Sequence, residues 1–117
     1  MDAVVTAICR NVMQTFAGVK VKLGDCAAIR FLGIDIVLSS IQSQTFGYDL
    51  FTNLGIDSET NNLVDVKSSQ HFVDAFALAA EEIYYFDSPG ALTRNFLNID
   101  YKYPPKTIWS FIKDPFT

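Results

Sequence analysis

Apolar and polar residues alternate in the first third of the chain. Residues 19–23 read Val-Lys-Val-Lys-Leu, a period of two that places one side of a strand on a core and the other side in water. Short runs rich in β-branched residues lie on both sides of this segment, and glycines separate them. The pattern predicts an antiparallel β-meander in the first third, with strands over residues 3–10, 19–23, 26–31 and 34–39.

In the second half of the chain the apolar spacing changes to three and four residues. A stripe that includes Phe72, Phe76 and Ile83 predicts a helix over residues 70–82. Apolar segments with β propensity flank this helix. We therefore expect the α+β fold class, in which the meander is followed by a β-α-β unit made of strand 63–67, helix 70–82 and strand 83–86.

Sequence signals for a loop and for a short helix follow the predicted meander. Residues 39–45 are mainly Ser, Gln and Thr, which predicts a loop that leaves the last strand of the meander. A short helix is predicted from Asp49 to Leu54, because an acidic residue suits a helix amino terminus and Gly55 suits the position after its end.

Length and composition narrow the class of protein. A chain of 117 residues, half of them apolar, predicts a single domain over residues 1–117. The formal charge of −4 and the lack of a basic run argue against a nucleic-acid partner. The apolar runs are too short for a signal peptide or a membrane span, so we expect a cytoplasmic protein with no membrane partner. Cys9 and Cys26 lack CxxC spacing and are expected to be free thiols.

The segment Val66-Lys67-Ser68-Ser69-Gln70-His71-Phe72 is the strongest candidate for a binding site. At the junction of a strand and a helix, free N–H groups would point toward the volume reached by Lys67, Ser68 and Ser69, and an anion such as a carboxylate would bind there. His71 would lie in the first turn of the helix. The alternative is structural: Ser69 caps the helix, Lys67 is solvated and His71 satisfies a nearby carbonyl.

The sequence does not predict a catalytic centre or a metal site within the chain. Its one histidine cannot supply the three or four ligands that a catalytic zinc ion needs. A triad of Ser68 or Ser69 with His71 and Asp74 is disfavoured, because neighbours within one helical turn do not converge as nucleophile, base and orienting group must. We therefore assign no catalytic residue, no metal ligand and no cofactor to this chain.

Several segments resemble the carboxy-terminal domain of the microcystinase C-like (MlrC-like) metallopeptidases. In order and spacing the similarity extends from about residue 18 to residue 109. The Val-Lys-Ser-x-x-His-Phe segment is the most specific. The stretches that carry the resemblance are residues 33–40 (Gly-Ile-Asp-Ile-Val-Leu-Ser-Ser), 44–46 (Gln-Thr-Phe), 51–57 (Phe-Thr-Asn-Leu-Gly-Ile-Asp), 66–72 and 87–91 (Asp-Ser-Pro-Gly-Ala).

The resemblance implies a role beside a zinc peptidase. Members of this family are longer, and an amino-terminal domain absent from this sequence would supply the Asp and His ligands of zinc and cleave linearised microcystin and related small peptides. That domain or chain is the expected partner. The present domain would dock against it and help to hold the substrate, with Gln44, Lys67, Ser68, Ser69 and His71 as candidate substrate- or anion-binding residues. An apolar patch left by the missing partner would also favour a homo-oligomer.

The sequence differs from the family pattern at two places, and two alternative functions remain possible. Gln42 stands where the family tends to have Arg, and Lys106-Thr107-Ile108-Trp109-Ser110 replaces an Arg-Pro-x-Trp-Pro type pattern, so contacts made by those arginines would be lost or altered. The alternatives to a peptidase domain are a separate module that binds small anions or carboxylates, and a remnant without activity.

Overall fold

The computed structural model describes residues 2–88, 100 and 102. The chain divides into two compact units, Met1–Ile83 and Tyr84–Thr117. In the second unit, residues 84–88 have no regular secondary structure, and the ring centroids of Tyr84 and Phe86 lie 6.4 Å apart. The first unit contains strands β1 (Val4–Phe16), β2 (Val19–Phe31) and β3 (Ile34–Ser39), helices α1 (Asp49–Thr52) and α2 (Val73–Phe76), and a 3-10 turn at Ser58–Thr60.

The predicted antiparallel meander is confirmed, but it has three strands instead of four. The strand order is β1-β2-β3, and both pairs are antiparallel. Strand β1 extends to Phe16 because it stays paired with β2 through Val19. The sequence predicts separate strands over 19–23 and 26–31, whereas Gly24-Asp25 between them is an irregularity inside the continuous strand β2: Gly24 has φ 73° and pairs with Val12.

Gly24 is needed at this position for two reasons. Its positive φ is strained for residues with a Cβ, and a Cβ there would collide with the Ser40 hydroxyl and approach Ile41 Cγ1 at 3.0 Å. The close approach lets Ser40 Oγ accept a hydrogen bond from the Asp25 N–H at 2.8 Å. The irregularity in β2 therefore also fixes the end of β3.

Bulges in β1 decide which side chains share a face of the sheet. The register shifts between Val5 and Ala7, so Val5 pairs with Ile29 while Ile8 pairs with Ala27. Because paired residues in an antiparallel sheet lie on the same face, Val5 and Ile8 lie on one face although they are three residues apart. A second shift lies between Cys9 and Val12, where Asn11 has φ 52°. The simple alternation assumed from the sequence does not hold along this strand.

The core lies on the opposite face of the sheet and is covered by α1 and the residues after it. Val12, Leu23, Cys26 and Ala28 from the strands pack against an apolar cluster from the helical region. That cluster consists of Leu50, Leu54 and Ile56. The burial of these residues supplies the main driving force that holds the helix on the sheet.

Helix α1 ends as predicted at Gly55, although its regular part stops at Thr52. Gly55 has φ 74°, its N–H donates to the Thr52 carbonyl at 3.0 Å, and the Ile56 N–H donates to the Phe51 carbonyl at 3.0 Å. This pair of bonds is the Schellman arrangement, in which a glycine with positive φ satisfies the last carbonyls of a helix. It also directs Ile56 back into the core.

The predicted β-α-β unit is not confirmed. Residues 63–67 and 83–86 form no strand, and the helix expected over 70–82 is limited to α2, Val73–Phe76. Of the predicted stripe only Phe72 and Phe76 are buried, and Leu78 is 92% exposed. Short helices need tertiary packing to be stable in water, and residues 77–82, which follow Phe76, are all exposed. The α+β class therefore depends on two short helices beside a sheet.

Candidate functional site

A buried glutamine fixes the loop that follows β3. Gln14 on β1 has no exposed surface. Its Nε2 group donates to the Gln44 carbonyl at 2.7 Å and to Ser43 Oγ at 3.2 Å, and its Oε1 accepts from the Phe46 N–H at 2.9 Å. All three polar positions of this amide are thus used. The loop over residues 43–46 is held against the sheet by one side chain.

Asp49 holds the start of α1 on the same end of β1. Its Oδ1 accepts from the Thr15 N–H at 2.9 Å, and its Oδ2 accepts from Thr15 Oγ1 at 2.6 Å and from Lys20 Nζ at 3.1 Å. Burial acts to raise the pKa of Asp49, but the hydrogen bonds from Thr15 and Lys20 outweigh burial and lower this pKa below its ordinary value of 3.8. At the other end of the helix, Asn53 Nδ2 donates to the Met13 carbonyl at 2.9 Å.

These anchored segments form an open cleft of ≈ 400 Å³, called here the aromatic cleft. Three of the aromatic residues that line it, Phe16, Phe46 and His71, contact one another through their rings. The centroid of Phe16 lies 4.6 Å from that of Phe46 and 5.1 Å from that of His71, and the Phe46 and His71 centroids are 5.9 Å apart. The remaining lining residues are Thr15, Ala17, Gly47, Tyr48, Asp49, Asp74 and Ala75.

The structure brings together some of the residues predicted to bind an anion. Ser68 Oγ donates to Gln44 Oε1 at 3.2 Å, so the loop after β3 meets the segment before α2. His71 lines the aromatic cleft. Lys67 and Ser69 are exposed and do not line it.

The helix invoked for the anion site differs from the prediction. Helix α2 begins at Val73 and has four residues, and its N-cap is Phe72, which has no side-chain capping bond. Ser69 therefore does not cap it. A helix this short provides only a weak dipole, so the part of the hypothesis that relied on the helix amino terminus loses its physical basis. The role of the five side chains in binding an anion stays a prediction.

Sequence reasoning missed Gln14, Phe16, Phe46 and Asp49 as site residues. A usable signal existed for β1, because Val12, Gln14 and Phe16 alternate with more exposed residues and Gln14 is a polar residue at a core-facing position. Buried polar groups need partners, so a glutamine there predicts a hydrogen-bonded neighbour from elsewhere in the chain. The predicted strand over residues 3–10 ends before Gln14, so the prediction does not place Gln14 on a strand.

The side of the sheet opposite the core is apolar and exposed. We define this apolar sheet face by six residues from the three strands. Ile8 is 72% exposed and Leu38 is 51% exposed, and both pair with Ala27 in one row across the sheet. The six residues are Val5, Ile8, Ile29, Ile34, Ile36 and Leu38. A contiguous apolar surface of this kind is typical of an interaction site.

The described residues do not fit a catalytic zinc ion. In residues 2–88, 100 and 102, no three His, Cys, Asp or Glu side chains lie together as metal ligands. We therefore derive no reaction step through a metal for this chain. Within the same residues, no helix is long and apolar enough to cross a membrane.

Comparison with known proteins gives the family. The family model described as MlrC C-terminus matches residues 1–103. This chain belongs to the MlrC C-terminus family. The aromatic cleft and the apolar sheet face both lie within the matched residues, so both are features of an MlrC C-terminal region.

A curated relative of this MlrC C-terminal chain is Microcystinase C from Sphingomonas sp. The two sequences are 32% identical over 84 residues, which is 72% of this chain and 17% of Microcystinase C. The alignment thus spans less than a fifth of that protein. The resemblance to the MlrC-like carboxy-terminal domain expected from the sequence is confirmed.

Proposed function

We propose that this MlrC C-terminal chain docks against the zinc-bearing part of an MlrC-like metallopeptidase and helps that part to bind a small peptide. Family membership supports the association with a hydrolase, and the aligned region is only 17% of Microcystinase C. Zinc would belong to the partner domain or chain. The chain by itself would not hydrolyse peptides.

The observation that carries this proposal is the apolar sheet face. Residues such as Ile8 and Leu38 are exposed on a regular, paired sheet, where an exposed apolar surface has a cost in water. A protein interface gains from covering such a surface, since each well-buried aliphatic side chain contributes about 1.5–3 kcal/mol. The zinc-bearing part of the peptidase is the proposed occupant of this face.

A mixing experiment tests the docking proposal. The remainder of Microcystinase C, without the segment aligned to this chain, is produced separately, and association is measured by sedimentation velocity. We expect a complex with the unmodified chain, and a complex weakened at least about tenfold by Ile8→Lys, because the substitution places a charge within the interface. Leu63→Lys is the matched control, since Leu63 is 82% exposed and lies outside the sheet.

Three results would decide the question. No complex with the unmodified chain, or equal weakening by both lysine variants, contradicts docking through this face. If Ile8→Lys instead abolishes self-association and the remainder of Microcystinase C does not compete, the face joins copies of this chain in a homo-oligomer. Zinc-dependent hydrolysis of a linear peptide by the isolated chain would contradict its proposed non-catalytic role.

A second candidate function is a separate module that binds small carboxylates. The Ser68–Gln44 hydrogen bond favours it, because it places polar groups of two predicted site residues next to each other. Calorimetric titration with acetate and short peptides should then show binding without any partner chain, and this binding should be lost in Lys67→Ala. Lys22→Ala, at another exposed lysine, is the control. Equal effects of the two variants would reject a specific anion site.

We also propose a cytoplasmic location. Its support is the state of Cys9 and Cys26, which lie opposite each other on paired strands and are both free thiols. Reducing compartments keep thiols in that state. Fractionation of the native cells with detection of this chain would test it, and recovery outside the cytoplasm would reject it.

A further inference from the structure

The walls of the aromatic cleft present ring surfaces. Phe16, Phe46 and His71 pack against one another along one open space, with centroid separations of 4.6 to 5.9 Å. The rings of Phe16 and Phe46 are inclined at 32°, while His71 is inclined at 71° to Phe16. A flat or elongated group that enters this space would therefore meet both the face of one ring and the edge of another.

The charge lining the cleft is negative. Among the residues that the structure describes, the charged ones that line it are Asp49 and Asp74, with no lysine or arginine. The Asp49 carboxylate is occupied by Thr15 and Lys20. Asp74 is exposed, and no ion pair to it occurs within residues 2–88. The carboxylate beside the rings is thus available to a ligand.

We propose that the aromatic cleft binds the side chain of a basic residue, an arginine or a lysine, from a peptide. Such side chains combine an apolar stem with a cationic head. The stem would lie against Phe16 and Phe46, and the head would pair with Asp74 and with a ring face. In this arrangement His71 acts as a wall of a cation site, in contrast to the anion-binding role predicted from the sequence.

This inference is independent of docking through the apolar sheet face. The lining residues that the structure describes lie between Thr15 and Ala75, within the first compact unit of the chain. Binding in the cleft and association through Ile8 are measured separately. Either proposal can therefore fail while the other holds.

Titration with blocked amino acids tests the charge preference. The 15N-labelled chain is titrated at pH 8 with N-acetyl-arginine amide, N-acetyl-lysine amide and N-acetyl-citrulline amide, and amide shifts are followed by NMR. We expect saturable shifts at Gly47 and Ala75 with at least one of the two cations, and binding of the neutral citrulline amide weaker by about fivefold or more. The relative affinities of the arginine and lysine amides distinguish the two side chains.

Two variants locate the binding. Asp74→Asn should weaken binding of the cationic amide about threefold or more, whereas Asp65→Asn, an exposed aspartate outside the cleft, should have no effect. Phe16→Leu should weaken it by removing a ring face, and its amide spectrum shows whether the fold is retained; if the fold is lost, Asp74→Asn alone decides. Equal affinity for arginine and citrulline amides, no saturable shifts, or unchanged binding in Asp74→Asn overturns the proposal.

Discussion

The hydrogen bonds of Gln14 make a quantitative prediction. Replacing Gln14 by methionine keeps the length and most of the volume of the side chain while removing all of its hydrogen bonds. The change therefore reports on the polar contacts and creates little cavity. It affects three groups in the loop after β3, namely the Phe46 N–H, the Gln44 carbonyl and the Ser43 hydroxyl.

The three lost hydrogen bonds do not cost the same free energy. Ser43 Oγ already donates to the Gln44 carbonyl at 3.1 Å, so that carbonyl keeps a donor when Gln14 is replaced. The Phe46 N–H has no such substitute within the described part of the chain, so in the variant it can bond only to water. A buried donor without a partner costs about 1–3 kcal/mol, and burying an apolar methionine in place of an amide recovers part of the loss. We expect a net destabilisation of about 2 kcal/mol.

Urea unfolding and amide exchange together check this prediction. The free energy of unfolding of Gln14→Met should fall by about 2 kcal/mol, and the Phe46 amide should exchange roughly 30 times faster if the loop opens locally. Gln42→Met is the matched control, because Gln42 is exposed, and its change should stay within about 0.5 kcal/mol. A loss below about 0.5 kcal/mol for Gln14→Met, with unchanged exchange at Phe46, would refute the argument that this side chain holds the loop.

Three further predictions concern single residues of the same unit. The pKa of Asp49 is lowered, so its hydrogen bonds stabilise the fold at pH values above the ordinary pKa of 3.8, and this stabilisation is lost as the pH falls through the folded-state pKa. Asp49→Asn should therefore lower the free energy of unfolding by about 1–3 kcal/mol at pH 7. On acidification below the ordinary pKa the variant should lose less further stability than the unmodified chain, which urea unfolding at pH 7 and at the acidic pH measures. Gly24→Ala should lower the free energy of unfolding by about 2–4 kcal/mol, and Gly18→Ala by only about 1 kcal/mol, because both have positive φ but only Gly24 lacks room for a Cβ; equal losses would contradict the steric argument. Burial, together with the nearby Cys9 and Asp25, raises the pKa of the Cys26 thiol above its ordinary value of 9.0. Peptide mapping after mild iodoacetamide treatment should therefore find Cys9 modified before Cys26. Faster modification of Cys26 would be inconsistent with its burial.

The meander was predictable because local patterns specify it. Alternation in residues 19–23 predicts the first part of β2, and the glycines at 18 and 33 mark the turns at its two ends; both have positive φ in the structure. Gly24 carries the same sequence signal as those glycines but has a different role. A turn and a bulge both require positive φ, and only the pairing of β2 with its neighbours distinguishes them.

The second half was less predictable because its structure depends on tertiary contacts. The stripe through residues 70–82 has helical spacing, but its later members Ala79 and Ala80 are small and exposed, so they add little burial to stabilise further helical turns. The candidate site also depends on tertiary contacts. Gln14 and Phe46 are 32 residues apart in sequence and come together only after the meander has folded. No local motif encodes that contact, so the sequence could suggest only the segment around His71.

Two register shifts in β1 separate the two proposed interaction surfaces. The shift between Val5 and Ala7 places Val5 with Ile8 on the apolar sheet face. The shift between Cys9 and Val12 places the following even-numbered residues on the core side, where Gln14 and Phe16 contact the loop that forms part of the aromatic cleft. One strand therefore contributes to an exposed apolar surface near its start and to an acidic, ring-lined cleft near its end. Residues without shared partners usually have additive effects, so substitutions at Ile8 and at Asp74 should act independently. If both proposals hold, the chain would contact a catalytic partner with one surface while a peptide side chain occupies the other.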